Sequence, residues 1–413
     1  MKKKSLTLQI SIAIGLGCLV GLWLGPQAQA LGQFGKIFIE AIKTIAAPLI
    51  FFAIMDSILT STIRWQHARY LVMVIVINTF FAAAIGLAIS NLFKPGLYLK
   101  IDALSAQGAD LGKFKGLEKI DIVKTFIEYV PTNFVDPFRQ NIVISVVLMA
   151  IVFGFGLKTA QVRNPDLRHS FEIVEKLVSA SLKIFEVILG WIIKLVPFAI
   201  FGVIAKTVGE HGFEPFHGLA AYLLAGFAGL IIHVLLIYQI WIKFIARIPL
   251  SYFWSKAKEP VLNAIGSNSS LATLPMTLES LDQLGVSKTS ARLGACLSTN
   301  FNNDGILLYE AMAVLFVAQA YGIDLSIGQQ LLAMLFAIIA AIGITGVPEA
   351  GIVSLSLVLI TIGLPLEILP ILLTVDWVIA RGRSVVNVLS DMVVSIVVDK
   401  MVNRKLEVFK SIT

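Results

Sequence analysis

The sequence predicts an all-α polytopic membrane protein with eight transmembrane helices and two re-entrant helical hairpins. Hydrophobic residues make up 57% of the 413-residue chain and charged residues only 14%, whereas a soluble domain carries about 25% charged residues. Apolar runs long enough to cross a bilayer, which takes roughly 20 helical residues, recur along the whole chain. The net charge of +7 is attributed to Lys and Arg in cytoplasmic loops, so no nucleic-acid partner is expected.

The first predicted helix, 6–25, has flanking residues like those of a secretory signal peptide. Lysines precede it and Ala28-Gln29-Ala30 follows it. Its apolar run is longer than the ~7–15 residues of a signal peptide, so we expect a retained transmembrane helix. The other seven helices are predicted near 35–60, 69–93, 140–158, 171–208, 217–246, 288–322 and 366–401. Basic residues cluster in loops on one side of this arrangement, which predicts that both termini are cytoplasmic.

Two apolar segments, 254–283 and 327–363, do not fit as full spans. Each is interrupted by glycine and proline, so that its two arms are too short to cross and are predicted to fold back as a hairpin. Irregular backbone at membrane depth is tolerated only where it is buried in protein or lines a cavity. Interrupted segments in matching positions of two halves are typical of a transporter's binding site. The alternative is that both are loops with apolar flanks.

The last helix carries a polar stripe, which consists of Asp376, Arg383, Asn387 and Asp391. Their spacing of 7, 4 and 4 residues places them on one helical face. A charge inside a membrane helix costs roughly 2.5–3.5 kcal/mol, so the stripe indicates that these groups meet each other, an ion or a ligand. Arg383 cannot deprotonate, and its planar fork binds a carboxylate at two points.

This arginine predicts an anionic, carboxylate-bearing substrate. Hydroxyls at the tip of the first hairpin, from Ser269 and Ser270, can donate to the same anion. The alternative is that Arg383 permanently neutralises Asp376 or Asp391.

A second polar group occurs in the seventh predicted helix, where Asn300-Phe301-Asn302-Asn303-Asp304-Gly305 lies at mid-membrane. Amide and carboxylate oxygens are ligands for a small hard cation, and the glycine allows the helix to unwind there. Asn387 and Asp391 offer similar oxygens. The alternative is that these groups only pair across helices. His233 is the one histidine in the interior of a predicted span, away from its ends, and is expected to be a satisfied interior group.

Several motifs together resemble the dicarboxylate/amino acid:cation symporter family, the family of glutamate transporter homologues. The resemblance covers essentially the whole chain and the order of its elements. The matching motifs are Ser267–Pro275, Asn302–Gly305, Gly346–Gly351, the polar stripe and the early Ala47–Phe52. It implies an elevator-type fold, a homotrimer in the lipid bilayer and a plasma-membrane location, for which the short loops favour the bacterial inner membrane. Within the single membrane unit 1–413, a scaffold would comprise 1–60 and 94–246 without the transport helices. The transport part would comprise 69–93, 171–208 and 254–401.

The resemblance also implies roles for individual residues, including three sodium sites. Sodium would bind near Asn302, Asn387 and Asp391, at a second site formed by Asp304 with Asn78 and Thr79, and at a third near Ser298, Asn300, Gly343 and Thr345. The substrate would contact Ser269, Ser270, Val347, Gly351, Ala380, Arg383, Ser384 and Asn387. Transported sodium is the only cofactor expected, without a prosthetic group, and no enzymatic activity is expected.

Departures from the family pattern bear on the substrate and on coupling. Ala380 stands where family members that take acidic amino acids have an aspartate for the amino group, which favours a C4-dicarboxylate without an amine. Glu349 and Glu310 are the acids that could compensate, and Glu310 resembles the proton-carrying glutamate of the eukaryotic branch. Asn303, Ile306 and Ile75 also differ from the pattern, so proton coupling stays open. We therefore expect a sodium symporter for small carboxylates. The alternatives are an acidic amino acid sodium symporter and an uncoupled anion channel.

Overall fold

The structure is a computed structural model that describes residues 6–60, 65–99, 130–139, 142–213, 215–297, 302–343 and 350–410. Within these ranges the chain is helical, with turns and short 3-10 segments and without a strand. The helices are α1 Leu6–Leu24, α2 Gln33–Thr60, α3 Trp65–Phe93, α4 Val143–Arg163, α5 Arg168–Ile193, α6 Val196–His211, α7 Pro215–His233, α8 Leu250–Ser267, α9 Ser270–Gln283, α10 Lys288–Arg292, α11 Asp304–Ala320, α12 Ile327–Gly343, α13 Ala350–Ile362 and α14 Leu369–Lys410. A one-turn helix, Asp136–Arg139, precedes α4.

The described helices include five stretches that are long and apolar enough to cross a membrane. These are Leu8–Leu59, Arg69–Phe93, Ser145–Arg163, Pro165–His211 and Pro215–Ala246. The first and fourth contain 52 and 47 residues, more than twice the roughly 20 needed for one crossing. The prediction of an all-helical membrane protein is confirmed in this respect. The number of crossings and of re-entrant hairpins stays a prediction.

The predicted helix 171–208 is divided in the structure, and the predicted helix 288–322 is represented by α10 and α11. A two-residue turn, Lys194 and Leu195, separates α5 from α6. Pro197 lies in the first turn of α6, where its missing N–H costs nothing, because the first N–H groups of a helix have no partner within that helix. The apolar pattern continues through this position, so it gives no sign of the break.

The segment predicted as the first hairpin forms two packed helices, α8 and α9. They are joined at Asn268, which has a left-handed φ of 52°, a conformation that asparagine tolerates better than most residues. Ser269 then caps α9, since its side chain accepts a hydrogen bond from the backbone N–H of Ala272 at 3.1 Å. In the second segment α12 packs on α13, and the residues between them lie outside the described ranges.

The helices fall into two compact units. The first comprises Met1–Thr60, Phe93–Leu223 and Ala313–Trp377, and the second comprises Ser61–Leu92, Leu224–Met312 and Val378–Thr413. The predicted division into scaffold and transport parts is a functional one and stays a prediction.

Within the first unit, glycines bring α1 close to α6. A Cβ atom at Gly21 would lie 2.6 Å from the Ala205 carbonyl oxygen, and one at Gly17 would lie 2.9 Å from that of Phe201. Small residues at such contacts allow two membrane helices to approach at backbone distance.

In the second unit, α7 continues as two π-helical turns, Val234–Tyr238 and Trp241–Ala246. A π-helix has i→i+5 hydrogen bonds and takes in more residues per turn than an α-helix. Residues five apart therefore come closer to one face. The rings of His233 and Tyr238 contact each other edge to face, with centroids 4.8 Å apart.

Candidate functional site

The candidate site lies in the second unit, where α11 begins against α14. Gly305 fixes this approach, because a Cβ atom there would lie 2.5 Å from the carbonyl oxygen of Arg383. The Gly305 N–H donates to the Asn387 side-chain oxygen at 2.9 Å. This bond satisfies one of the N–H groups that a helix N-terminus leaves without a partner. The start of α11 is thus attached directly to the polar stripe of α14.

Asp304, the first residue of α11, is fully buried and is surrounded by hydrogen-bond donors. Its Oδ2 accepts from the Tyr238 hydroxyl at 2.7 Å and from the Ser390 hydroxyl at 2.6 Å. The Nε2 of His233 lies 3.5 Å from the same oxygen. Hydrogen bonds to an ionised carboxylate are stronger than those between neutral groups, and the Tyr238 and Ser390 hydroxyls offset part of the cost of burying the charge.

Ser390 links Asp304 to two asparagines. Its hydroxyl accepts from the Nδ2 of Asn302 at 2.5 Å and from the Nδ2 of Asn78 at 3.5 Å. The Oδ1 of Asn78 in turn accepts from the indole N–H of Trp241 at 2.8 Å. These four residues and Asp304 form a connected network, called the Asp304 network below.

Two oxygens of this network accept no hydrogen bond from any residue that the structure describes. They are Oδ1 of Asn302 and Oδ1 of Asp304, and both residues are fully buried. A buried acceptor without a donor costs about 1–3 kcal/mol, and more when it is charged. Amide and carboxylate oxygens are the ligands that a small hard cation takes. These two oxygens are therefore suitable ligands for a sodium ion.

Asn387 and Asp391 follow each other by one turn on α14, and both are buried. While Asn387 accepts from Gly305, its Nδ2 donates to the Oδ1 of Asn303 at 3.3 Å. Asn303, which departs from the pattern of the resembled family, thus joins α11 to α14 through a side-chain amide pair.

Arg383 is only 5% exposed, and its guanidinium carbon lies 4.1 Å from the centre of the Tyr309 ring. One residue further, the Ser384 hydroxyl donates to the Oδ1 of Asn268 at 3.2 Å. This bond connects the tip between α8 and α9 with α14. The serines of that tip, Ser269 and Ser270, are half-buried. Arg383 directly precedes Ser384, the residue of α14 to which the tip is hydrogen-bonded.

Two further predicted residues are buried. Ala380 is 4% exposed on α14, one turn before Ser384, and Glu310 is fully buried on α11. Thr79 follows Asn78 on α3 and is half-buried. The positions of Glu310 and Thr79 agree with a polar interior shared by α3, α11 and α14.

Other predicted residues lie in the first unit or outside the described residues. Gly351 is buried on α13 and Asp376 on α14, both in the first unit. Gly343 is the last residue of α12. Ser298, Asn300, Thr345, Val347 and Glu349 lie outside the described residues.

Four members of the site escaped the sequence analysis: His233, Tyr238, Trp241 and Ser390. For His233 we expected a satisfied interior group, yet neither of its ring nitrogens has a hydrogen-bond partner among the described residues. Ser390 could have been found, because it lies between Asn387 and Asp391 in the polar stripe. The residues of α7 and its continuation could not have been found from the sequence. The π-helical turns that align them do not follow the 3.6-residue period of an α-helix.

The chain matches a family model described as the sodium:dicarboxylate symporter family over residues 6–401. It is 29% identical over 405 residues to a C4-dicarboxylate transport protein of Bacillus subtilis (strain 168), with 97% of this chain and 94% of that relative covered. It is 29% identical over 408 residues to a proton/sodium-glutamate symport protein of the same organism, with 96% and 93% covered. A C4-dicarboxylate transport protein of Deinococcus radiodurans is 28% identical over 409 residues, with 97% and 90% covered.

Proposed function

The chain belongs to the sodium:dicarboxylate symporter family, a transporter family, and we propose that it imports small dicarboxylates, C4-dicarboxylates in particular, together with sodium. The observation that carries this proposal is the placement of a buried arginine and buried oxygen ligands within two turns of one helix. Arg383 lies one turn before Asn387, which is attached to the Asp304 end of α11. An anion site and a cation site are therefore neighbours.

On the substrate side, Arg383 would bind one carboxylate through its planar fork. The second carboxylate would take the hydroxyls of Ser269 and Ser270 with the N–H groups at the start of α9. The Ser384–Asn268 hydrogen bond supports this arrangement, because it attaches the α8–α9 tip beside the arginine. A substrate with two carboxylates would then bridge α14 and the tip.

Ala380 favours a substrate without an amine. Its methyl group is buried one turn before Ser384, where a substrate ammonium would need a counter-charge. A buried charge without its partner costs roughly 3–5 kcal/mol. Succinate, fumarate and malate avoid this cost, whereas aspartate and glutamate do not.

On the cation side, Asn302, Asp304, Asn387 and Asp391 would provide the sodium ligands in the second unit. The side-chain oxygen of Asn78 is engaged by Trp241, so its share in the second sodium site would require that bond to open. Sodium beside the substrate would neutralise the anion. Each net positive charge carried inward adds about 2.3 kcal/mol of driving force per 100 mV of membrane potential.

The remaining features of the proposal concern the assembly. We infer a homotrimer in a plasma membrane, in bacteria the inner membrane, with both termini cytoplasmic. Its eight spans and two hairpins would work as an elevator, in which the transport part carries the site across a fixed scaffold. The two interrupted apolar segments, of which α8 and α9 form one, support this architecture.

A second candidate is an acidic amino acid symporter driven by sodium and protons. The relative named proton/sodium-glutamate symport protein is as similar to this chain as the C4-dicarboxylate relative. Glu310, which is fully buried on α11, would be its proton carrier. An uncoupled anion channel is the third possibility.

Uptake into proteoliposomes distinguishes these functions. Labelled succinate and labelled aspartate are supplied under an inward sodium gradient, with choline replacing sodium in the control. Sodium-dependent accumulation of succinate, poorly inhibited by aspartate, is the expected result. Comparable accumulation of aspartate would favour the second candidate. Equilibration without sodium dependence would contradict coupling and support the channel.

A further inference from the structure

Every donor and acceptor position of the Ser390 hydroxyl is occupied by a hydrogen bond. A serine hydroxyl offers one donor and two acceptor lone pairs. The donor goes to Asp304, and the two lone pairs receive the amides of Asn302 and Asn78. Ser390 is fully buried. Its hydroxyl therefore joins α14, α3 and the start of α11 at one atom.

This arrangement decides which oxygens remain open in the network. Because the Asn302 amide donates its Nδ2 to Ser390, its Oδ1 cannot face the serine. Because Ser390 and Tyr238 both donate to the Oδ2 of Asp304, the other carboxylate oxygen is left as the open one. The two oxygens left open in this way, Oδ1 of Asn302 and Oδ1 of Asp304, are those that accept no hydrogen bond from a described residue.

We propose that Ser390 is a positioning residue for the coupling cation, which orients the side chains of Asn302 and Asp304 so that one oxygen of each is presented to sodium. This inference rests on the proposed sodium coupling and extends it to a residue outside the predicted ligand set. Without the hydroxyl, the Asn302 amide loses its acceptor and turns more freely. The Asp304 carboxylate also loses one of its two hydroxyl donors. Residues that orient metal ligands typically change metal affinity 10–100-fold when they are substituted.

The test compares Ser390→Ala with a matched control, Ser395→Ala. Ser395 is a buried serine on the same helix, but its hydroxyl donates to the Asp391 backbone oxygen and does not join the Asp304 network. Each purified protein is titrated with sodium chloride against choline chloride without substrate, and its thermal stability is followed. The sodium dependence of succinate uptake is measured in parallel, with substrate KM and maximal rate determined at saturating sodium.

For Ser390→Ala we expect about a tenfold or greater rise in the sodium concentration for half-maximal stabilisation and half-maximal uptake. Its maximal rate at saturating sodium should remain near that of the unsubstituted protein, and Ser395→Ala should leave both sodium values unchanged. In an Asn302→Ala background, Ser390→Ala should add little, because residues in one network act non-additively.

An unchanged sodium dependence in Ser390→Ala, with stability lowered equally in sodium and in choline, would overturn the inference and leave the serine a structural role. That result differs from failure of the proposed function. In the latter case the unsubstituted protein itself would show neither stabilisation nor uptake that depends on sodium, and the inference would fall with it.

Discussion

The buried guanidinium of Arg383 lies against the face of Tyr309, with 4.1 Å between its carbon and the ring centre. The two residues come from α14 and α11, whose contact also involves Gly305 and Asn387. An aromatic face attracts a cation without competing for its N–H groups at the guanidinium edge. Tyr309 therefore steadies the arginine through its ring face and does not itself occupy the edge of the guanidinium.

Replacing Tyr309 by leucine should weaken dicarboxylate binding more than replacing it by phenylalanine. A cation–π contact contributes about 0.5–2 kcal/mol, so we expect KM for succinate to rise roughly 2–30-fold in Tyr309→Leu. Tyr309→Phe retains the ring and should stay within about twofold. The KM is measured in proteoliposomes at saturating sodium. Equal effects of both substitutions would show that the hydroxyl, not the ring, is important.

Introducing a carboxylate at position 380 should shift specificity toward amino acids. In Ala380→Asp the new acid lies one turn before Ser384 and can pair with a substrate ammonium, while it repels a dicarboxylate bound at Arg383. We expect the ratio of aspartate to succinate uptake to rise at least tenfold. Ala380→Asn has nearly the same size without the charge and is the control. A similar shift in both variants would contradict the electrostatic explanation.

Removing the Tyr238 hydroxyl should lower sodium affinity. Tyr238 donates to the Asp304 carboxylate, and a hydrogen bond to a charged group is worth about 1.5–3 kcal/mol. Tyr238→Phe should therefore raise the sodium concentration for half-maximal uptake by roughly an order of magnitude. Tyr252→Phe is the matched control, because the Tyr252 hydroxyl is exposed and donates to the Gln283 carbonyl oxygen. An unchanged sodium value in Tyr238→Phe would show that Asp304 does not take part in sodium binding.

Gly305→Ala should separate α11 from α14. The added methyl group would lie 2.5 Å from the Arg383 carbonyl oxygen and 3.0 Å from the Asn387 side-chain oxygen, and neither helix backbone can yield without moving the site. Gly190→Ala, on α5, meets no atom within 4 Å and is the control. We expect a lower melting temperature and loss of uptake in Gly305→Ala only. Normal uptake in that variant would contradict the tight helix contact.

The sequence predicted much of this architecture because a helix that crosses a membrane must be apolar over roughly 20 residues. The apolar runs located most helices within a few residues. The polar stripe predicted Arg383 and Asn387 as site residues, and both are buried in the structure. The turn between α5 and α6 was not predicted, since a proline in the first turn of a helix leaves the apolar pattern intact.

Part of the site could not be predicted for a different reason. His233 and Tyr238 do not share a face in a regular α-helix, in which residues five apart diverge by about 140°. The π-helical turns bring them toward Asp304, and these turns have no signature in the spacing of apolar residues. The partners of Ser390 were also out of reach, because its contacts to α3 and α11 depend on how three helices meet.

The length of α14 has a practical consequence. Its 42 residues extend about 63 Å at 1.5 Å per residue, twice the thickness of the roughly 30 Å hydrocarbon core. Arg383 is buried, whereas Lys400 on the same helix is exposed, about 25 Å further along the axis. A fluorophore attached at position 400 would thus be carried by the same rigid rod as the guanidinium. Its distance from the membrane surface would report the depth of the buried arginine.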